Sequence, residues 1–275
     1  MLYYPIGKQE FGVIRRNDFV YVDKTQWVFR IAKRTAQYFF ARPRRFGKSL
    51  LISTLKELFS GDRVLFQGLW IEPHLGEIER RSVFHLSFNM LIYRQLGLER
   101  AILQELELIA AKEGIELETE GIPSVFREII RKMAAEKPIA ILIDEYDKPI
   151  IDYLDEIDQA NANREILKSF YSVPKGSEEY IHLLFITGVS KFSKVSIFSD
   201  LNHLEDISLD SEFSTMAGFT QEEVKTWFDE RIGEIALETS MSREETYEKI
   251  RRYYNGYTWD LKQHLYNPFS LLSFF

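Results

Sequence analysis

Four short, largely apolar runs restrict this chain more than any other feature. They are Tyr38-Phe-Phe-Ala41, Val83-Phe-His-Leu-Ser-Phe88, Ile139-Ala-Ile-Leu-Ile143 and His182-Leu-Leu-Phe-Ile-Thr187. A sheet with one wet face alternates polar and apolar residues, whereas strands covered on both faces read as continuous apolar runs, as in parallel α/β sheets. Helical patterns lie between them. Ser49–Phe59 follows the first run directly and is punctuated by Gly61. Leu98–Lys112 places Leu98, Ile102, Leu106 and Ile109 on one face, with Gly114 as a stop. Ser124–Ala135 leads through Lys137-Pro138 into the third run, and Arg164–Tyr171 precedes the fourth. Strands alternating with helices predict βαβ units and an α/β fold with a mostly parallel sheet flanked by helices.

The pattern changes after Thr215. Thr220-Gln-Glu-Glu223 and Ser242-Arg-Glu-Glu245 both fit the capping box and introduce helices, with no comparable strand after them. The expected division is a core over residues 1–215 and a helical lid over 216–275, interrupted by the turn-like Tyr254-Asn-Gly-Tyr257. The last residues, Pro268-Phe-Ser-Leu-Leu-Ser-Phe-Phe275, are apolar without a polar tail, as expected of a chain cut short or docked on something else.

With 275 residues, 45% hydrophobic and 14% aromatic, the chain can bury a sizeable core. Its net charge of −7 argues against nucleic-acid binding by the protein as a whole. Cysteine is absent, which excludes disulfides, thiolate metal sites and a cysteine nucleophile, and fits a reducing cytoplasm. No stretch is apolar for long enough to span a bilayer, and the start lacks a basic segment followed by an apolar one. A cytoplasmic location without membrane association is expected.

The chemistry concentrates in the loop after the first run, Arg42-Pro43-Arg44-Arg45-Phe46-Gly47-Lys48-Ser49-Leu50. Phosphates bind where a strand, a tight loop of backbone N–H groups and a helix N-terminus meet. Lys48 would reach the β- and γ-phosphates of a nucleotide, and the Ser49 hydroxyl would ligate Mg²⁺. The usual pattern GxxxxGK[ST] opens on Gly, where this chain has Arg42, and the loop alone is compatible with an ordinary helix cap. About a hundred residues downstream, Ile139–Ile143 ends on Asp144-Glu145. In phosphate-loop ATPases the first such acid holds Mg²⁺ and the next polarises the attacking water, roles that fall here to Asp144 and Glu145. The two segments together make a Mg-nucleotide site.

Where the fourth run ends, Thr187 is the first candidate for sensing the γ-phosphate, with Ser190 or Lys191 next. A hydroxyl closing a strand is the plainer reading of each. Arg42, Arg44 and Arg45 bring three guanidinium groups beside the loop, and one is expected to touch nucleotide; salt bridges to Asp144, Glu145 or Asp147 are the alternative. The histidines show no metal-ligand spacing, and hydrolase, zinc-protease and dinucleotide motifs are missing. Glu223-Val-Lys225 has the ExK spacing of some nucleases and reads as a surface pair.

These residues resemble the AAA-ATPase-like family of bacteria and archaea, ATPases often fused to a C-terminal PD-(D/E)xK nuclease-like domain. The resemblance runs through Pro5-Ile-Gly7, Phe11, Tyr21-Val-Asp-Lys-Thr25, Arg42–Ser49, Leu142–Pro149, Thr187–Lys191, Asn255-Gly-Tyr257 and Tyr266-Asn-Pro-Phe269. It implies that the missing first Gly is the rule and that Lys48, Ser49, Asp144 and Glu145 carry the site. It further implies that Phe11 to Thr25 contributes to the adenine pocket, Asp23 or Thr25 being alternatively a helix cap. The nuclease-like domain is expected to lie outside this chain. The resulting expectation is Mg-dependent ATP binding and hydrolysis that drives or gates a conformational change. The alternatives are a nucleotide-gated interaction module with negligible hydrolysis, or an accessory to nucleic-acid processing. A homo-oligomer or a partner protein is compatible with the family, and no residue can be assigned to either contact.

Overall fold

The computed structural model describes residues 3–190, 197–198, 201 and 203–275. The four apolar runs form adjacent strands: β1 Ala36–Ala41, β2 Val83–Ser87, β3 Ile139–Asp144 and β4 Ile181–Gly188. A fifth, β5 Leu204–Asp206, pairs with β1. The sheet order is β2-β3-β4-β1-β5 and all its pairings are parallel. All six residues of β3 are buried. Ile141 and Ile143 pack on one face while Ala140 and Leu142 pack on the other, which is why the run shows no polar alternation. Truncating Leu142 to alanine would cost about 2–5 kcal/mol.

Helices cover both faces. One carries α1 Phe11–Arg16, α2 Thr25–Lys33 and α3 Lys48–Ser60. On the other lie α4 Tyr93–Leu96, α5 Leu98–Lys112, α6 Ile122–Met133, α7 Lys148–Ile151 and α8 Ile157–Lys175, whose core residues meet Phe84, Leu86 and Ile186 of the sheet. Helix α5 has the expected bounds. Helix α6 starts two residues before its expected start, and α8 is much longer than Arg164–Tyr171 because its first turns are polar and carry little periodicity. Strand β2 stops at Ser87, and Phe88 turns into the core.

A third cluster belongs to the C-terminal helices α9 Gln221–Glu238, α10 Arg243–Tyr254 and α11 Pro268–Phe274, and it includes Val20 and Val22 from the N-terminal segment. Both expected capping boxes are present. The Thr220 hydroxyl accepts from Glu223 N and the Glu223 carboxylate from Thr220 N, and Ser242 and Glu245 repeat the arrangement. Two short strands, β6 Tyr257–Thr258 and β7 His264–Leu265, pair as a hairpin between α10 and α11.

Candidate functional site

Strand β1 delivers the chain into the loop 42–47, and α3 starts at Lys48. The loop turns through two left-handed residues, Arg45 (φ 70°) and Gly47 (φ 91°). Arg42 is not among the residues with positive φ, so a glycine is not required where the usual loop pattern has one. The Gly47 turn aims the first amides of α3 at the cleft, and the free N–H groups of a helix start suit an anion.

Lys48 is buried, and its Nζ donates to the carbonyls of Arg42 (2.9 Å) and Pro43 (3.1 Å). Burial pulls its ammonium below the ordinary lysine value, while Asp144, Glu145 and Asp147 pull the other way. Asp144 ends β3, Glu145 and Asp147 follow it, and β4 lies between β3 and β1. Asp144 is 5% exposed and accepts a 2.5 Å hydrogen bond from the hydroxyl of Thr187, which is completely buried one residue before the end of β4. The backbone N–H of Glu145 approaches the same hydroxyl at 3.4 Å. Glu145 has φ 54°, and its carboxyl is pushed above the usual carboxylate range by burial, then by the like charge of Asp144. Asp147 is buried and accepts from the backbone N–H groups of Val189 and Ser190. Gly188 permits this crowding, because a Cβ there would stand 2.4 Å from the Tyr146 ring.

Part of this set opens onto one cleft, whose lining includes Lys48 and Glu145 but not Asp144, Asp147 or Thr187. The cleft is lined on one side by Arg45, Phe46, Gly47, Lys48, Ser49, Leu50 and Glu145. The N-terminal segment supplies Pro5, Gly7–Gln9, Ile14, Val20–Val22 and Lys24, and the C-terminal region supplies Gly218, Phe219, Phe228, Pro268 and Phe269. Phe11 is absent from this lining: it is buried against Tyr21 and Phe66. Asp23 caps the start of α2, accepting from both the N–H and the hydroxyl of Thr25.

Glu223 is not the surface partner of Lys225. It accepts two hydrogen bonds from Lys24 Nζ at 2.5 and 2.7 Å, and Lys24 also donates to Thr215 O. Spacing within α9 could not disclose a partner in the N-terminal segment.

The three loop arginines diverge. Arg42 is 1% exposed and turns its guanidinium away from the cleft, with Nη1 donating to the Ala41 and Ser208 carbonyls. Phe40 and Trp259 offer that guanidinium two ring faces. Arg45 lies over the Phe269 ring at 3.8 Å. Arg44 is exposed, close enough to Lys48 to repel its charge. Neither the alternative salt bridges from these arginines to Asp144, Glu145 or Asp147 nor any cluster of three His, Asp or Glu side chains able to hold a metal occurs among the described residues. Ser49 and Asp144 nonetheless supply a hydroxyl and a carboxylate, the hard oxygens that Mg²⁺ takes alongside phosphate and water. Ser190 accepts from the Tyr146 hydroxyl through its carbonyl, and Lys191 lies outside the described residues. No helix among the described residues is long and apolar enough to cross a membrane.

Comparison with known proteins gives two findings. The model of a family described as predicted AAA-ATPase matches residues 5–198. A protein of Azotobacter chroococcum mcd 1, named as an uncharacterized protein in the vnfD 5′ region, is 39% identical over 275 residues. That match covers 98% of this chain and 51% of the relative, so the chain spans about half the length of the curated relative it resembles.

Proposed function

The chain belongs to the AAA-ATPase-like family, and we propose that it binds ATP with Mg²⁺ in the cleft between the 42–49 loop and the C-terminal helices and hydrolyses it. The observation that carries this reading is that Lys48, Ser49 and Glu145 line one cleft, with Asp144 preceding Glu145 at the end of β3. Lys48 and the first amides of α3 hold the phosphates. Ser49 and Asp144 hold Mg²⁺, which when bound neutralises charge on the phosphate oxygens. Thr187 keeps Asp144 turned toward that position. Glu145 accepts the proton of the attacking water, a role favoured by a carboxyl whose affinity for protons is already raised. The base sits among Val20, Val22, Phe219 and Phe228, with Lys24 and Glu223 joining the two sides.

A second reading, an ATP-gated module with negligible turnover, draws on the contacts between the loop and the C-terminal region. In either case residues 216–275 act as a lid over a core of residues 1–215. Phosphate release and equilibrium binding of a fluorescent ATP analogue separate the readings. Lys48→Ala is expected to abolish binding, and Glu145→Gln to retain binding while turnover falls about 100-fold or more. Wild-type binding by Lys48→Ala would remove the loop from phosphate recognition. Undiminished turnover by Glu145→Gln would remove Glu145 from the chemistry.

A further inference from the structure

Arg42 stands where a phosphate loop usually opens on glycine, and its side chain is nearly inaccessible. Its guanidinium carbon is 4.4 Å from the ring centroid of Phe40 and 4.4 Å from that of Trp259. Nη1 finds two carbonyls, but Nε and Nη2 have no hydrogen-bond partner. Two aromatic faces, with the charge of Asp206 acting on the same guanidinium, therefore do for this half of the cation what acceptors would ordinarily do. Phe40 precedes the loop on β1, whereas Trp259 comes from the hairpin between α10 and α11. The same hairpin grips the loop's other end: the Phe46 ring meets Tyr257 at 4.7 Å and Trp259 at 5.7 Å.

Neither Tyr257 nor Trp259 lines the cleft. Their route to a ligand runs through the loop backbone. The Arg42 N–H donates to Gly188 O, and the Arg42 and Pro43 carbonyls receive Lys48. We propose that Arg42 and Trp259 are a positioning pair, through which the C-terminal hairpin holds the phosphate loop in its binding shape. The assignment rests on the reading of that loop as the triphosphate site. An element far downstream in sequence thereby becomes part of the nucleotide site without touching nucleotide. By linkage, occupancy of the loop stabilises the hairpin's seat on the core.

Trp259 is half-buried on a short hairpin, so Trp259→Ala is the informative variant. Its fold is checked by circular dichroism and its urea midpoint. Its Kd for a fluorescent ATP analogue is expected to rise about tenfold, the scale of one desolvated cation–π contact. Trp259→Phe keeps an aromatic face and should return the Kd to within about threefold of wild type. Arg42→Met should resemble Trp259→Ala, and the double variant should be no worse than either single one, because both remove one contact. Wild-type affinity in folded Trp259→Ala would overturn the pair, as would equal impairment of Trp259→Phe and Trp259→Ala. Failure of the wild-type chain itself to bind the analogue would overturn the nucleotide reading, and the pair with it.

Discussion

Thr187→Val tests what holds Asp144, the acid proposed for the metal site, in place. The substitution keeps the β-branched shape that suits a strand, so it leaves no cavity and no loss of strand preference. What it removes is one hydroxyl, buried completely, donating at 2.5 Å to an Asp144 carboxylate that is itself 5% exposed. A hydrogen bond to a charged, buried acceptor is worth about 1.5–3 kcal/mol, so the unfolding free energy from urea denaturation without nucleotide should fall by about that amount. The second readout is functional. If Thr187 acts by turning Asp144, the Mg²⁺ concentration for half-maximal phosphate release rises while affinity for ATP without Mg²⁺ is unchanged. Thr187→Ser, which retains the hydroxyl, should lie near wild type in both. Wild-type stability and Mg²⁺ demand in Thr187→Val would refute the reasoning. Weakened binding of metal-free ATP would instead make Thr187 a direct phosphate contact.

Gly188→Ala drives a Cβ to 2.4 Å from the Tyr146 ring. It should destabilise the fold by about 1–3 kcal/mol and depress turnover by displacing the neighbouring Glu145, both measurable in one preparation. Away from the site, the Glu128 carboxyl is held down at about 2, first by the hydrogen bond from Lys132 and then by that from Thr119. Its pKa is depressed on folding, so its contribution is present above the ordinary value of 4.5 and lost as pH falls toward 2. Glu128→Gln should therefore flatten the pH dependence of the urea midpoint across that window, and an unchanged slope would count against it.

The sheet was legible because burial on both faces leaves a mark in composition that needs no partner to be read. Ile139–Ile143 shows this best. Strand β5 left no such mark: Leu204-Glu-Asp206 is three residues long, sits at an edge and carries two acids. The backbone of the loop and the acids at the end of β3 were also readable, since local geometry demands those residue types. The fate of Arg42 was not. Its surroundings are set by Trp259, far away in sequence, and the arginines at 42, 44 and 45 look alike until the fold gives each a different neighbour. Lys24 and Glu223 were hidden for the same reason.

The place of β4 between β1 and β3 also works as a ruler. Adjacent strands stand about 4.8 Å apart, so one interposed strand sets the ends of β1 and β3 roughly 9.5 Å apart. Between direct neighbours that separation would be about half as large. With β4 interposed, the strand that runs into the loop and the strand that ends on Asp144 are held apart by the construction of the sheet itself. The width between them is thus written in the order of the strands, before any side chain in the cleft is chosen.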